Sequence, residues 1–325
     1  MRHRRSGPAA PPARFTGTVH GVPGTGSVSR RTFLIGASSA LALTACGGSS
    51  SKGSSPGTSA SGGSGPGTDA ETPGTSSGGA IVLIARFATG TLTTGTQRAP
   101  FVLGDVNGLL PLEQTPATLT AKVLDATGAT VVPSLTVERH GAALQQPYYP
   151  FQLSLQTPGA YELRLASSDA TGAIQVSKPA DVPIPQVGAA LPPEDTPTTA
   201  AARGVNPICT RQPACSLHKV TLRQALATGK PVAYLIGTPA YCQTGICGPV
   251  LDLLLAESKL RPNFSMVHAE VYTDDTINTP SPAVTNYHMS FEPCLFVANA
   301  KGVMTARLDS IWDAGELSKA LDTAL

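Results

Sequence analysis

Two cysteines with four residues between them, Cys242 and Cys247, sit in the stretch YLIGTPAYCQTGICGPVLDLLL, residues 234–255. Two nearby thiols can form and break a disulfide, or bind a soft metal. The flanking sequence predicts how they are held. Residues 230–237 are an apolar run bounded by Gly-Lys-Pro and Gly-Thr-Pro, with the length and punctuation of a buried strand. From Val250 the leucines suit a helix packed on a sheet, and Pro249 fits its first position. Cys247 then stands just before the first turn, where unpaired backbone N–H groups and the helix dipole favour a thiolate. Cys242 lies across a Gln-Thr-Gly turn from it.

The region 206–325 resembles the thioredoxin superfamily. The resemblance rests on the strand VAYLIG, the aromatic-cysteine pair Tyr241-Cys242, the helix-opening Cys247-Gly248-Pro249, and Phe291-Glu292-Pro293 ahead of the strand CLFVANAKG. In that family a cis-proline precedes the penultimate strand and faces the cysteines, so the resemblance puts Pro293, with the Glu292 backbone, in a substrate groove. The family spaces its cysteines by two residues. If Cys247 matches the family's nucleophile, the usual partner position is Val250 and Cys242 must serve from the loop. If Cys242 matches it, the loop has lengthened. The helix-start position favours Cys247. The buried acid that the family carries in its central strand has no counterpart in 231–237. Glu292, if its carboxylate points inward, should raise the thiol pKa values and slow attack.

The other cysteines have their own readings. Cys209 and Cys215 form a second close pair, for which a small structural disulfide is expected in an oxidising compartment; a second redox pair is the alternative. Cys294 is an odd thiol at the start of a strand, expected to be a core residue. His218, His268 and His288 are expected to be ordinary core or surface residues. A metal reading joins Cys242, Cys247 and His288, as in copper chaperones of the Sco type, whose cysteines are spaced by three. Zinc held by both cysteine pairs fits poorly, because one pair encloses five residues. No cofactor or metal is expected.

The rest of the chain reads as delivery and support. Ser29-Arg30-Arg31-Thr32-Phe33-Leu34 resembles a twin-arginine export signal. A short apolar stretch then ends in Leu43-Thr44-Ala45-Cys46, which resembles a bacterial lipobox. Residues 1–45 are expected to be removed, leaving Cys46 lipidated and the chain anchored on the extracytoplasmic side of the membrane. The leader carries six of the 23 basic residues and no acid, so 17 remain against 21 acids, a net charge of −4. The basic balance of the whole chain therefore does not point to nucleic acid. Residues 46–79, rich in Gly, Ser, Thr and Pro, should be a tether of roughly 30 Å root-mean-square span.

Residues 80–180 show short alternating runs separated by turn signals such as Asp-Val-Asn-Gly at 105–108 and Ala-Thr-Gly at 126–128. They predict an immunoglobulin-like β-sandwich, although no Cys-Trp-Cys core is present. Arg139-His140-Gly141 and Tyr148-Tyr149-Pro150 read as a turn and a sandwich corner, or as a partner patch. Residues 181–205 read as a Pro/Ala/Thr-rich linker. In 206–325 the order β-α-β-α-β-β-α, with capped helices opened at Thr221 and Asp313, predicts an α/β thioredoxin-like domain with both sheet faces covered.

Two functions follow as expectations. One is an anchored thiol–disulfide oxidoreductase acting on exported proteins, with Cys242 and Cys247 exchanging disulfides and a redox partner in the envelope. The other is a scaffold with a permanent Cys242–Cys247 disulfide, in which the sandwich does the binding.

Overall fold

The computed structural model describes residues 80–144 and 146–325, and Gln145 and residues 1–79 lie outside them. The expected leader, the lipobox with Cys46 and the tether therefore fall outside the described residues. The described part is β-rich, with few helices.

Nine strands build the first half: β1 (Val82–Ala85), β2 (Leu92–Thr93), β3 (Gly95–Asp105), β4 (Gly108–Leu109), β5 (Thr118–Asp125), β6 (Thr130–Glu138), β7 (Tyr149–Leu155), β8 (Gly159–Leu165) and β9 (Thr171–Ser177). One sheet runs β1-β3-β4 with β7 paired to β3, and the other runs β2-β9-β8-β5-β6. Alternate residues of both turn inward: Phe101 and Leu103 from β3, Phe151 and Leu153 from β7, Val123 from β5, Leu163 from β8 and Ile174 from β9 share one core. The period-two pattern buries one face of each sheet. The predicted turns stand where expected; at the second, the Asp125 carboxylate accepts from the Thr127 and Ala129 N–H groups.

The second half runs α1 (Leu222–Ala227), β10 (Val232–Ile236), α2 (Cys247–Leu260), β11 (Ser265–Ala269), α3 (Pro282–Asn286), β12 (Cys294–Ala298), β13 (Met304–Asp309) and α4 (Ala314–Asp322). Its sheet has the order β11-β10-β12-β13, with β10 parallel to β11 and antiparallel to β12. Every residue of β10 and β12 is buried, which explains why both read as continuous apolar runs. Val250, Leu251 and Leu254 of α2 and Leu317 and Leu321 of α4 cover one face. Leu222 and Ala225 of α1 and Ala283 of α3 cover the other. Thr221 caps α1 with a complete capping box to Gln224. Asp313 caps α4 by accepting from the Glu316 N–H, but the Glu316 carboxylate turns away to other partners.

Two expectations need correction here. Residues 181–205 are not a free linker: Val182, Ile184 and Leu191 are buried against the second sheet. The Leu191 N–H donates to Gly302 and the Met304 N–H donates to Ala189. The two halves also form a joint. Arg98 of β3 donates to both Glu316 oxygens at 2.6 Å and to the Ile311 carbonyl. The Tyr148 hydroxyl donates to Glu316 at 2.6 Å and accepts from the Asp313 N–H. His140 Nδ1 lies 2.9 Å from Asp313 Oδ2. Of the residues read as a turn, a corner or a partner patch, His140 and Tyr148 thus bind the start of the chain's last helix, whereas Arg139 and Tyr149 donate to the Thr115 and Pro116 carbonyls of the first half.

Candidate functional site

β10 ends at Ile236, and the chain turns through Gly237-Thr238-Pro239 to Cys242. A tight turn follows in which the Gly245 N–H donates to the Cys242 carbonyl; Gly245 has φ +70°, which glycine adopts without strain. Helix α2 starts at Cys247, so Pro249 lies inside the first turn rather than opening it. The turn folds back far enough for Cys242 and Cys247 to be joined as a disulfide, with Cα atoms 6.0 Å apart. The Cys247 N–H, one of the helix's free donors, donates to Cys242 Sγ at 3.3 Å. That donor and the helix N-terminus stabilise negative charge on the Cys242 sulfur.

The two sulfurs differ in access. Cys247 is 1 % exposed, whereas Cys242 is half-buried and faces a cleft of about 540 Å³. Helix position favoured Cys247 as the attacking thiol, but Cys242 is the more exposed sulfur, and it also receives the helix-terminal N–H. Ala85, Arg86 and Phe87, where β1 ends, line the cleft together with Phe291 and Glu292. The sandwich half thus contributes to a site that sequence reasoning confined to 206–325.

The Glu292 carboxylate does point inward. Its Oε2 lies 3.3 Å from Cys247 Sγ and accepts from the Thr238 N–H at 2.7 Å. Burial pushes this carboxyl up to about 7; the Thr238 N–H opposes the shift and nearby Glu270 adds to it. Glu270 is itself buried and raised by burial, and takes a hydrogen bond from the Thr238 hydroxyl at 2.5 Å. β10 carries no acid, as expected, but an acid reaches the buried thiol from the other side of the sheet's end.

The Glu292–Pro293 peptide is cis. Pro293 and Cys247 approach each other across Gly237: a methyl at Gly237 would lie 3.2 Å from Pro293 Cβ and 3.7 Å from Cys247 Sγ. Cys294 is fully buried in the opposite core, with burial pushing its thiol well up, as expected of a core residue.

Two readings of the remaining groups change. His288 is exposed and does not join Cys242 and Cys247; Glu292 does, which removes the histidine from the copper reading. Cys209 and Cys215 are not bonded to each other, contrary to the structural disulfide expected for them. His218 and His268 are buried beside those two sulfurs. The segment 209–218 spells Cys-x5-Cys-x2-His, a signal that could have been weighed with the cysteines. His268, fifty residues on, had none.

As chemistry, the arrangement offers an accessible sulfur at a helix N-terminus, a buried partner sulfur, and a carboxyl that gains and loses its proton near neutral pH. No family model, curated protein or solved structure matches this chain.

Proposed function

We propose that this chain is a thiol–disulfide oxidoreductase of the thioredoxin-like type, anchored outside the cytoplasm by a lipid on Cys46 and acting on exported proteins. The observation that carries the reading is the asymmetric pair: Cys242 open to a cleft, and Cys247 buried beside Glu292. The β-α-β-α-β-β-α order and the position of Pro293 support the thioredoxin-like assignment. The two facing sheets of residues 80–180 support an immunoglobulin-like module.

In the reducing direction, the Cys242 thiolate attacks one sulfur of a substrate disulfide, and the other substrate sulfur leaves as a thiolate that takes a proton from solvent. The Cys247 thiol passes its proton to Glu292, and its sulfur attacks Cys242. The substrate's first sulfur then leaves as a thiolate that takes the proton held by Glu292, which restores the carboxylate, and the Cys242–Cys247 disulfide forms. Two electrons have moved from the pair to the substrate. Oxidation of a substrate dithiol retraces these steps. Phe87 and Phe291 give the cleft apolar walls for an extended substrate segment, and Arg86 is the one cation among its described lining residues.

Trapping tests the assignment. In the full chain, Cys247→Ser leaves Cys242 unable to be resolved, so a mixed disulfide with a disulfide substrate such as insulin should accumulate on non-reducing gels. Cys242→Ser should abolish both trapping and insulin reduction. Retention of insulin reduction by both variants would contradict the proposal.

A further inference from the structure

Behind the cysteine pair lies a second cluster that the exchange reaction does not use. Cys209 Sγ, Cys215 Sγ, one nitrogen of His218 and one of His268 all lie within 4.8 Å of one another. The four residues are 4 %, 8 %, 1 % and 0 % exposed. Two thiols and two imidazoles converging at such depth need a reason, because buried polar groups are costly unless paired.

The distances suit a common centre. His218 Nε2 and His268 Nδ1 are 3.1 Å apart, and His268 Nδ1 is 3.5 Å from Cys215 Sγ and 4.0 Å from Cys209 Sγ. A tetrahedral zinc ion with ordinary bond lengths sets its ligands at N···N of about 3.3 Å and N···S of about 3.6 Å. His268 Nε2 is 2.9 Å from the Gly237 carbonyl. Donation there puts the ring proton on Nε2 and turns the Nδ1 lone pair to the cluster, the outer support that metal-bound histidines usually have. The Cys215 N–H donates to Cys209 Sγ at 3.3 Å, which favours a thiolate. Two thiolates would balance a dication, so the filled site would be neutral. A Cys209–Cys215 disulfide would leave the two histidines without a role.

We propose that Cys209, Cys215, His218 and His268 form a closed tetrahedral zinc site. All four positions come from protein, so the ion is structural, and binding releases the two thiol protons to solvent. The site ties the segment 206–220 to β11. Through His268 it also holds the Gly237 carbonyl, and Gly237 lies against Cys247 and Pro293. The ion would thus fix the floor of the exchange site without touching substrate. The inference does not rest on the oxidoreductase reading.

The test uses the full chain, purified under reducing conditions. Zinc content should be one per chain. After chelation, cobalt(II) titration should give one equivalent with the intense visible bands of a tetrahedral thiolate site. Those bands should persist in Cys242→Ser/Cys247→Ser and vanish in Cys215→Ser. His218→Ala, a second route should Cys215→Ser not fold, should weaken cobalt binding at least tenfold. A wild-type chain that takes up neither ion stoichiometrically overturns the proposal, and so does a Cys209–Cys215 disulfide found by mass mapping of native protein. Bands lost in Cys242→Ser/Cys247→Ser but kept in Cys215→Ser would place the metal at the other pair and overturn it as well.

Discussion

Glu292 holds a proton up to about pH 7 where a carboxyl ordinarily releases it near 4.5, because burial disfavours its charge. The stability linked to that proton is complete below pH 4.5, is lost as pH rises through about 7, and is gone above. Glu292→Gln, which stays neutral, should therefore stabilise the oxidised chain above pH 7 by about 1–2 kcal/mol after allowance for partial exposure. Below pH 4.5 it should change little. Urea unfolding at pH 4 and pH 8 checks the sign. In the proposed exchange, the ionised carboxylate would serve as the base for Cys247. Resolution of the mixed disulfide should thus rise with pH through about 7 in the wild type, and the Gln variant should be slower and lack that inflection. The inward carboxylate could not be read from the sequence, since the same residue facing solvent would look identical. The sequence left open which cysteine of the pair attacks, since burial of either could not be read from it. Helix position alone pointed to Cys247; the burial of Cys247 beside Gly237 and the half-exposure of Cys242 favour Cys242 in the proposed exchange.

At the scale of elements, the second half was legible because its signals are local. The apolar runs of β10 and β12 are bounded by Gly and Pro, and Thr221 opens α1 with a capping box that the structure completes. Thr221→Ala should cost about 1 kcal/mol by leaving the Gln224 N–H unsatisfied, measurable as a lowered urea midpoint. Strand β3 is hard to read in the first half because Pro100 interrupts it. It is tolerated for a physical reason: Pro100 faces Pro150 of β7, and its carbonyl accepts from the Arg86 N–H where β1 ends. The absent N–H therefore falls where the ladder stops. Composition likewise suggested a loose linker over 181–205, but Val182, Ile184 and Leu191 are spaced to reach one core.

At the scale of the molecule, the joint between the halves was invisible in the sequence, since it pairs Arg98 with Glu316, residues 218 apart. Both side chains are 10 % exposed. Removing one partner of a buried pair strands the other, so Arg98→Ala should destabilise the chain by about 3 kcal/mol. The wild type should unfold in a single urea transition followed by both near-ultraviolet dichroism and Trp312 fluorescence, and Arg98→Ala should separate the two probes. The joint also places Ala85, Arg86 and Phe87 at the cleft, so loosening it should slow exchange at Cys242 without altering either cysteine.

The central claim is that the Cys242–Cys247 bond is a working disulfide rather than a permanent brace. Its reduction potential, measured on the full chain by alkylation and mass analysis in graded thiol buffers, tests this most directly. The account predicts a value between about −120 and −270 mV, the span of exchange catalysts. A value below about −300 mV, where structural bridges lie, would contradict it.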